Sequence, residues 1–96
     1  MDMESLMAQA QTLQAKISAA QDNLGQMHVK GIAENGLVIV EMTGKYDIES
    51  VIISENAMKL DAKTLSSLTF DAIKDAKAKA DALIDKVMTS ITGSAE

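Results

Sequence analysis

The side chains in this sequence best suited to chemistry are its lysines, because they are its only strongly basic groups. The chain has nine Lys and no Arg, so an anion would meet point charges and not the planar fork of a guanidinium group. Such charges bind phosphate oxygens without reading bases, which makes contact with nucleic acid weak, tolerant of sequence and sensitive to salt. The lysines on predicted helices form the candidate phosphate-binding set: Lys16, Lys63, Lys74, Lys77, Lys79 and Lys86.

Acidic residues interleave with these lysines and predict a competing, structural role. Several acid–lysine pairs are spaced three or four positions apart, where side chains of one helix meet: Asp71–Lys74, Asp75–Lys79 and Lys77–Asp81. The formal net charge is −5, which repels nucleic acid at long range. The pattern favours a solvated, self-neutralised helix face over a continuous track of phosphate contacts.

Catalytic and metal-binding groups are sparse. His28 is the only histidine and the chain has no Cys, so a thiolate zinc site cannot form. Motifs of the HExxH, P-loop and GxGxxG kinds do not occur in the sequence. We therefore predict that His28 is a partly exposed strand residue, that the chain binds no metal or cofactor, and that it is not an enzyme.

Two long helices are predicted to carry the lysines. Over residues 3–24, apolar residues repeat at the a and d positions of a heptad, and Gly25 is expected to end this helix in a left-handed conformation. Residues 61–92 follow a second apolar stripe at helical spacing. Asp61 is the expected N-cap of this second helix, and Gly93 is expected to stop it.

Three strands are predicted between the helices, over residues 27–33, 37–43 and 48–54. Asn35-Gly36 separates the first two strands and signals a tight hairpin, because both residues tolerate positive φ. Residues 44–46 provide the turn to the third strand. Two successive hairpins make a three-stranded antiparallel meander, so the chain is predicted to be a single α+β domain with the order α-β-β-β-α.

Both faces of the predicted sheet carry apolar side chains, whereas a sheet with one solvated face alternates apolar and polar residues. Leaving such a side chain in water forgoes about 1.5–3 kcal/mol of burial. A homodimer is therefore favoured, and a monomeric two-layer core is the alternative. The residues expected at the dimer contact are Val38, Ile39, Val40, Met42, Val51 and Ile53.

Three segments, taken in order, carry a family resemblance. LMAQAQTLQAK at residues 6–16 is similar to an opening helix of the pattern LMKQAQ-x-[ML]-Q-x-K. GLVIVEMTG at 36–44 fits a hairpin pattern G-[LM]-V-x-V-x-x-[NT]-G, and residues 65–76 are similar to a late helix that begins L-x-x-L. Together they resemble the YbaB/EbfC family of nucleoid-associated proteins. The chain departs from the family pattern at Ile39, where a polar residue is usual, and at Lys74, which replaces Asn.

The resemblance implies a tweezer-like homodimer, joined through the sheet region, from which paired helices project. It also implies loose binding to double-stranded DNA in the cytoplasm, at the nucleoid. No signal peptide or membrane span is recognisable in the sequence, which fits that location and predicts no contact with a membrane. The alternative is a protein–protein adaptor or structural dimer of the same fold without DNA binding. In either case, Met7 and Met88 would line an apolar groove between the helices for another protein.

Overall fold

The computed structural model describes residues 2–92 and contains two long helices and a three-stranded sheet. The elements are α1 (Met3–Gln26), β1 (His28–Ala33), β2 (Val38–Thr43), β3 (Ile48–Ile53) and α2 (Ala62–Thr92), with short 3-10 turns at Glu34–Gly36 and Ala57–Lys59. The strands pair antiparallel in the order β1-β2-β3. The predicted α+β fold and its element order are confirmed.

Neither α1 nor α2, over the residues described, is long and apolar enough to cross a membrane. Gly93, the predicted stop of the second helix, lies outside the described residues.

α1 begins at a side-chain cap and runs past the glycine predicted to end it. The Asp2 carboxylate accepts a hydrogen bond from the Ser5 amide at 2.8 Å, which caps the first turn. At the other end, the helix continues through Gly25 to Gln26, and Gly25 does not have a positive φ. The expectation of a left-handed cap at Gly25 is therefore wrong. The glycine instead leaves room for Lys45, whose Cδ would lie 3.2 Å from a Cβ built there.

The turn between β1 and β2 uses positive φ, as Asn35-Gly36 predicted. Glu34, Asn35 and Gly36 have φ angles of 46°, 57° and 96°. Gly and Asn enter this left-handed region at the least steric cost. The turn sets the register of the sheet, in which Ala33 pairs with Val38.

α2 lies across one face of β1 and β2 and forms the core with them. Its contact stripe consists of small residues, since Ala72, Ala76 and Ala80 are all fully buried. Gly31 of β1 lies directly beneath the stripe, where a Cβ would be only 1.9 Å from the Ala72 carbonyl oxygen. Helix and strand backbones therefore approach each other with almost no side chain between them.

Three residues that the sequence placed at the dimer contact belong to this core. Val38, Val40 and Met42 face α2, and their exposed fractions are 0%, 0% and 4%. The helix covers this face of β2 within one protomer, because its alanine stripe allows it to lie close to the strand. These three side chains are therefore unavailable to a second subunit in this structure.

α1 packs on the rest of the protomer through its C-terminal half. The Gly44 amide donates a hydrogen bond to the Leu24 carbonyl oxygen at 2.9 Å. Leu24 is buried, and Ile17 and Ala20 are half-buried. Every residue from 3 to 16 is exposed. This segment, called the α1 arm below, projects from the protomer, whose longest dimension is 67 Å.

Candidate nucleic-acid interface

Lys77 is held on the protomer surface by two groups. Its ammonium lies 3.5 Å from the Asp81 carboxylate, one turn along α2, and 5.5 Å from the ring centre of Tyr46 in the β2–β3 turn. The Tyr46 hydroxyl donates a hydrogen bond to the same carboxylate. That bond lowers the pKa of Asp81 and raises the pKa of Tyr46. The three side chains form a closed cluster in which the charge of Lys77 is already matched.

An Asp81→Ala substitution is expected to move the pKa of Tyr46 down, toward its ordinary value of 10.0. The hydrogen bond to Asp81 stabilises the neutral phenol, and the carboxylate charge opposes formation of the phenolate. Tyr46 is the only tyrosine and the chain has no Trp, so the tyrosinate absorbance band reports this single residue during an alkaline titration. Asp85→Ala, one turn further along α2, is the matched control and should move the midpoint much less. Equal midpoints for wild type and Asp81→Ala would contradict the cluster.

Lys79 is engaged at the outer edge of β1. Its ammonium donates a hydrogen bond to the Lys30 carbonyl oxygen at 2.7 Å and lies 3.0 Å from the Asp75 carboxylate. Asp75 in turn accepts the Ile32 amide at 2.9 Å. The bond from Ile32, and after it the bond from Lys79, lowers the pKa of Asp75. Because a neighbouring strand would bond these same backbone groups of β1, two side chains of α2 close this edge of the sheet.

The remaining predicted lysines lack a charge partner within residues 2–92. Lys74 lies 5.4 Å from the ring centre of Phe70 and does not form the ion pair with Asp71 that its spacing suggested. Lys16, Lys63 and Lys86 make no ion pair or hydrogen bond to other described side chains. Phosphate contacts are therefore open to these four lysines, whereas Lys77 and Lys79 already serve the fold.

Three exposed lysines outside the helices are missing from the set that the sequence predicted, and one of them, Lys30, is paired with Glu41. Lys45 lies in the β2–β3 turn beside Gly25 of α1, and Lys59 lies in the 3-10 turn that precedes α2. Both are exposed and neither forms an ion pair within the described residues. Helical spacing cannot find them, although a lysine in a polar turn is as accessible to phosphate. Lys59 is also close to Lys63 in sequence, and this proximity to a predicted lysine could have identified it as a candidate.

The sheet face opposite α2 carries cross-strand polar contacts at one end. His28 of β1 lies 2.6 Å from Glu49 of β3. Glu41 of β2 accepts a hydrogen bond from Ser50 at 2.9 Å and lies 3.8 Å from the Lys30 ammonium. Within residues 2–92, no group of three or more imidazole or carboxylate side chains is placed to hold a metal ion. The histidine takes part in a surface contact between strands.

β3 is the least covered element of the sheet. Its large apolar side chains are 40–49% exposed: Ile48, Val51, Ile52 and Ile53. The Ser54 amide bonds the Leu37 carbonyl oxygen at 3.0 Å, so by the alternation of an antiparallel ladder the backbone groups of Val51 and Ile53 point away from β2. No side chain among residues 2–91 bonds them. The β3 edge is open, whereas the β1 edge is closed.

An apolar groove of about 500 Å³ lies between β3 and the first turns of α2. Ile53 forms its strand side, and Leu65, Phe70 and Ile73 form its helix side. Of the residues predicted at the dimer contact, Ile53 lines this groove, Val51 shares its strand face, Ile39 lies half-buried on the opposite face, and Val38, Val40 and Met42 are inside the core.

Comparisons with known proteins place this chain in a family. Residues 1–95 match the YbaB/EbfC DNA-binding family. The chain is 41% identical to a nucleoid-associated protein of Bradyrhizobium diazoefficiens over 96% of this chain and 88% of that protein. It is also 41% identical to one of Gluconobacter oxydans over 96% and 87%. A crystal structure of an uncharacterized Helicobacter pylori protein has the same fold, with a TM-score of 0.85 and 14% identity over 97% of this chain and 99% of that chain. This chain therefore belongs to the YbaB/EbfC DNA-binding family.

Proposed function

We propose that this protein is a nucleoid-associated homodimer that binds double-stranded DNA with little sequence preference. Membership of a DNA-binding family and the names of its relatives support DNA as the ligand. We assign the DNA contacts to particular lysines because the predicted lysines fall into two groups, those bonded within the protomer and those open to phosphate. Lys77 and Lys79 bond within the protomer, whereas Lys16, Lys63, Lys74 and Lys86 have no charge partner in residues 2–92.

The chemistry of the open lysines accounts for the mode of binding. Lysine contacts a phosphate as a point charge, and the chain has no Arg for bidentate recognition of guanine. Binding would therefore depend on phosphates and on salt, and would differ little between sequences. The net charge of −5 opposes the approach to DNA at long range. Only local contacts repeated by a second subunit would make the complex stable.

We place the contact between subunits at β3. This strand has large apolar side chains on both faces and an open backbone edge, and it borders the apolar groove of α2. A second copy of β3 would cover the same surfaces in a two-fold, isologous contact. The β1 edge cannot serve in this way, because Asp75 and Lys79 occupy its backbone groups. Val51 and Ile53 are the predicted interface residues that fit this contact.

A matched pair of lysine variants tests the DNA assignment. Lys63→Gln with Lys86→Gln, and Lys77→Gln with Lys79→Gln, each remove two positive charges from every protomer. The first variant is expected to weaken duplex binding and to reduce the slope of log affinity against log salt by about 0.9 for each phosphate that is no longer neutralised. The second is expected to change the slope little, because its lysines are already engaged. Fluorescence anisotropy with two unrelated duplexes, over a range of salt, measures both effects.

Two outcomes would contradict this assignment. An equal fall in affinity in both variants would mean that net charge, and not the open lysines, governs binding. An absence of wild-type binding even at low salt would favour the alternative function, a protein–protein adaptor or structural dimer. The features that favour that alternative are the acidic net charge and the α1 arm, which is apolar on one side and nearly uncharged. Met7 is exposed on that arm and Met88 is half-buried in α2, and the groove between them stays a prediction.

A further inference from the structure

The α1 arm, residues 3–16, carries an apolar stripe that nothing in the described protomer covers. Met3, Leu6 and Leu13 are 72%, 47% and 47% exposed. The stripe continues the heptad seam of Ile17 and Leu24, which is packed in the same helix. The residues of the chain outside the described range are Met1 and Gly-Ser-Ala-Glu at 93–96. They have only one large apolar side chain between them, which is too little to cover the stripe of the arm.

We propose that the α1 arm pairs antiparallel with the α1 arm of a second copy of this chain. The heptad phase supplies a self-complementary register. With the two-fold axis beside Ala8, Met3 packs against Leu13 of the second copy, and Leu6 packs against Ala10 of the second copy. Each of these layers occurs twice. The overlap of residues 2–16 is about 20 Å long at the rise of an α-helix.

Charge selects the antiparallel orientation. Asp2 and Lys16 both lie on the side of the heptad next to the seam, and the antiparallel register brings Asp2 of each arm beside Lys16 of the other. Charged residues that flank a seam determine partner and orientation in coiled coils. A parallel pair would set Asp2 beside Met7 and Lys16 beside Gln21, with no opposite charges in contact. Lys16 is without an ion pair among the described residues.

The contact is short, so it is weak in dilute solution and is strengthened when chains are held close together. It lies at the end of the molecule away from the sheet, so it does not compete with a contact at β3. Two different isologous contacts on one protomer join dimers into a closed assembly of dihedral symmetry where their two-fold axes intersect, and into open-ended chains where the axes do not intersect. On DNA, arm pairing would link neighbouring dimers along or between duplexes, with Lys16 engaged by Asp2 of the other arm and Lys63, Lys74 and Lys86 left to contact phosphate. This consequence rests on the proposed function, whereas the pairing of the arms does not.

Cysteine cross-linking without DNA tests the register. The chain has no Cys, so Gln9→Cys introduces one thiol per chain. The two copies of position 9 face each other across the two-fold axis of the proposed pair. Ala8→Cys is the control, because position 8 lies on the outer side of the heptad. A short bis-maleimide is expected to give a several-fold higher yield of two-chain product from Gln9→Cys than from Ala8→Cys. Equal yields at the two positions would overturn the proposal.

Charge variants distinguish pairing in the proposed register from nonspecific association of the arms. Lys16→Glu places like charges beside Asp2 and is expected to lower the Gln9→Cys yield. Adding Asp2→Asn, which keeps a side-chain oxygen for the N-cap, removes the repulsion and is expected to recover part of the yield. An unchanged yield in Lys16→Glu would also overturn the proposal. Adding Ile53→Lys, which targets β3, is expected to leave the yield at high protein concentration unchanged, so failure of the β3 contact and failure of the arm contact are distinguishable.

Discussion

An Ile53→Lys variant is expected to sediment as a monomer of 10.2 kDa under conditions in which the wild-type chain is a dimer. Ile53 is 40% exposed in the protomer and lies between the open edge of β3 and the groove of α2. Because the contact is two-fold symmetric, the substituted position occurs twice in it. Each substituted side chain loses apolar burial and places a charge in an apolar contact. The dimer dissociation constant should rise at least about a hundredfold, which corresponds to about 2.8 kcal/mol.

Met58→Lys is the matched control for that experiment. Met58 is 65% exposed. It lies in the 3-10 turn between β3 and α2, where its amide bonds the Ser54 carbonyl oxygen, and it does not line the groove. It should leave the mass unchanged in sedimentation velocity. The loss of the dimer in Ile53→Lys should also lower the affinity for DNA, because a monomer presents half as many lysines as a dimer. A dimer that survives Ile53→Lys would move the contact elsewhere, and the exposed row of Ile32 and Ile52 on the opposite sheet face would be the next surface to test.

Local signals predicted the elements of the fold well. Asp61 accepts the Thr64 amide at 2.9 Å at the start of the second helix, which is the role that its side chain and position indicated. Asn35 and Gly36 take the positive φ angles that a tight turn needs. Each of these effects operates within about four residues. They can therefore be recognised from sequence without knowledge of the tertiary structure.

The misassigned positions depend on contacts between distant parts of the chain. The apolar side chains of β2 predicted that both faces need cover, but alternation alone does not say which face the chain's own helix takes. α2 takes the face of Val38 and Val40. Gly25 carried a valid C-cap signal, yet the helix continues to Gln26, and the Leu24 carbonyl oxygen beside it accepts the Gly44 amide from the distant β2–β3 turn.

The candidate site shows the same division between local and distant effects. Spacing predicted the pairs Lys77–Asp81 and Lys79–Asp75, and both form. Spacing did not predict that Tyr46 would join the first pair, or that Lys79 would bond the carbonyl oxygen of Lys30 across 49 positions of sequence. These additional bonds determine which lysines remain open to phosphate. The sequence therefore identified most of the candidate lysines, and tertiary contacts determine which of them are engaged within the protomer.

A Gly31→Ala variant is expected to lose about 3 kcal/mol or more of its free energy of unfolding, at the upper end of the range for overpacked cores. The added Cβ would lie 1.9 Å from the Ala72 carbonyl oxygen and 2.4 Å from the Ala76 amide nitrogen. Both are backbone atoms of α2, so no change of rotamer can relieve the contact and the helix must move off the sheet. Urea unfolding followed by circular dichroism, at one fixed protein concentration, measures the change in stability.

Gly25→Ala is the matched control, since it adds the same methyl group to another tightly placed glycine. There the nearest atom is Cδ of Lys45 at 3.2 Å, the side chain is flexible, and a helical Ala is favoured over Gly by about 1 kcal/mol. This variant should equal or exceed wild type in stability. Combining Gly31→Ala with Ala76→Gly removes the clash with the Ala76 methyl group at 2.7 Å but leaves both backbone clashes, so little rescue is expected. Full rescue would mean that the backbones can separate, and that the alanine stripe does not set the distance between α2 and the sheet.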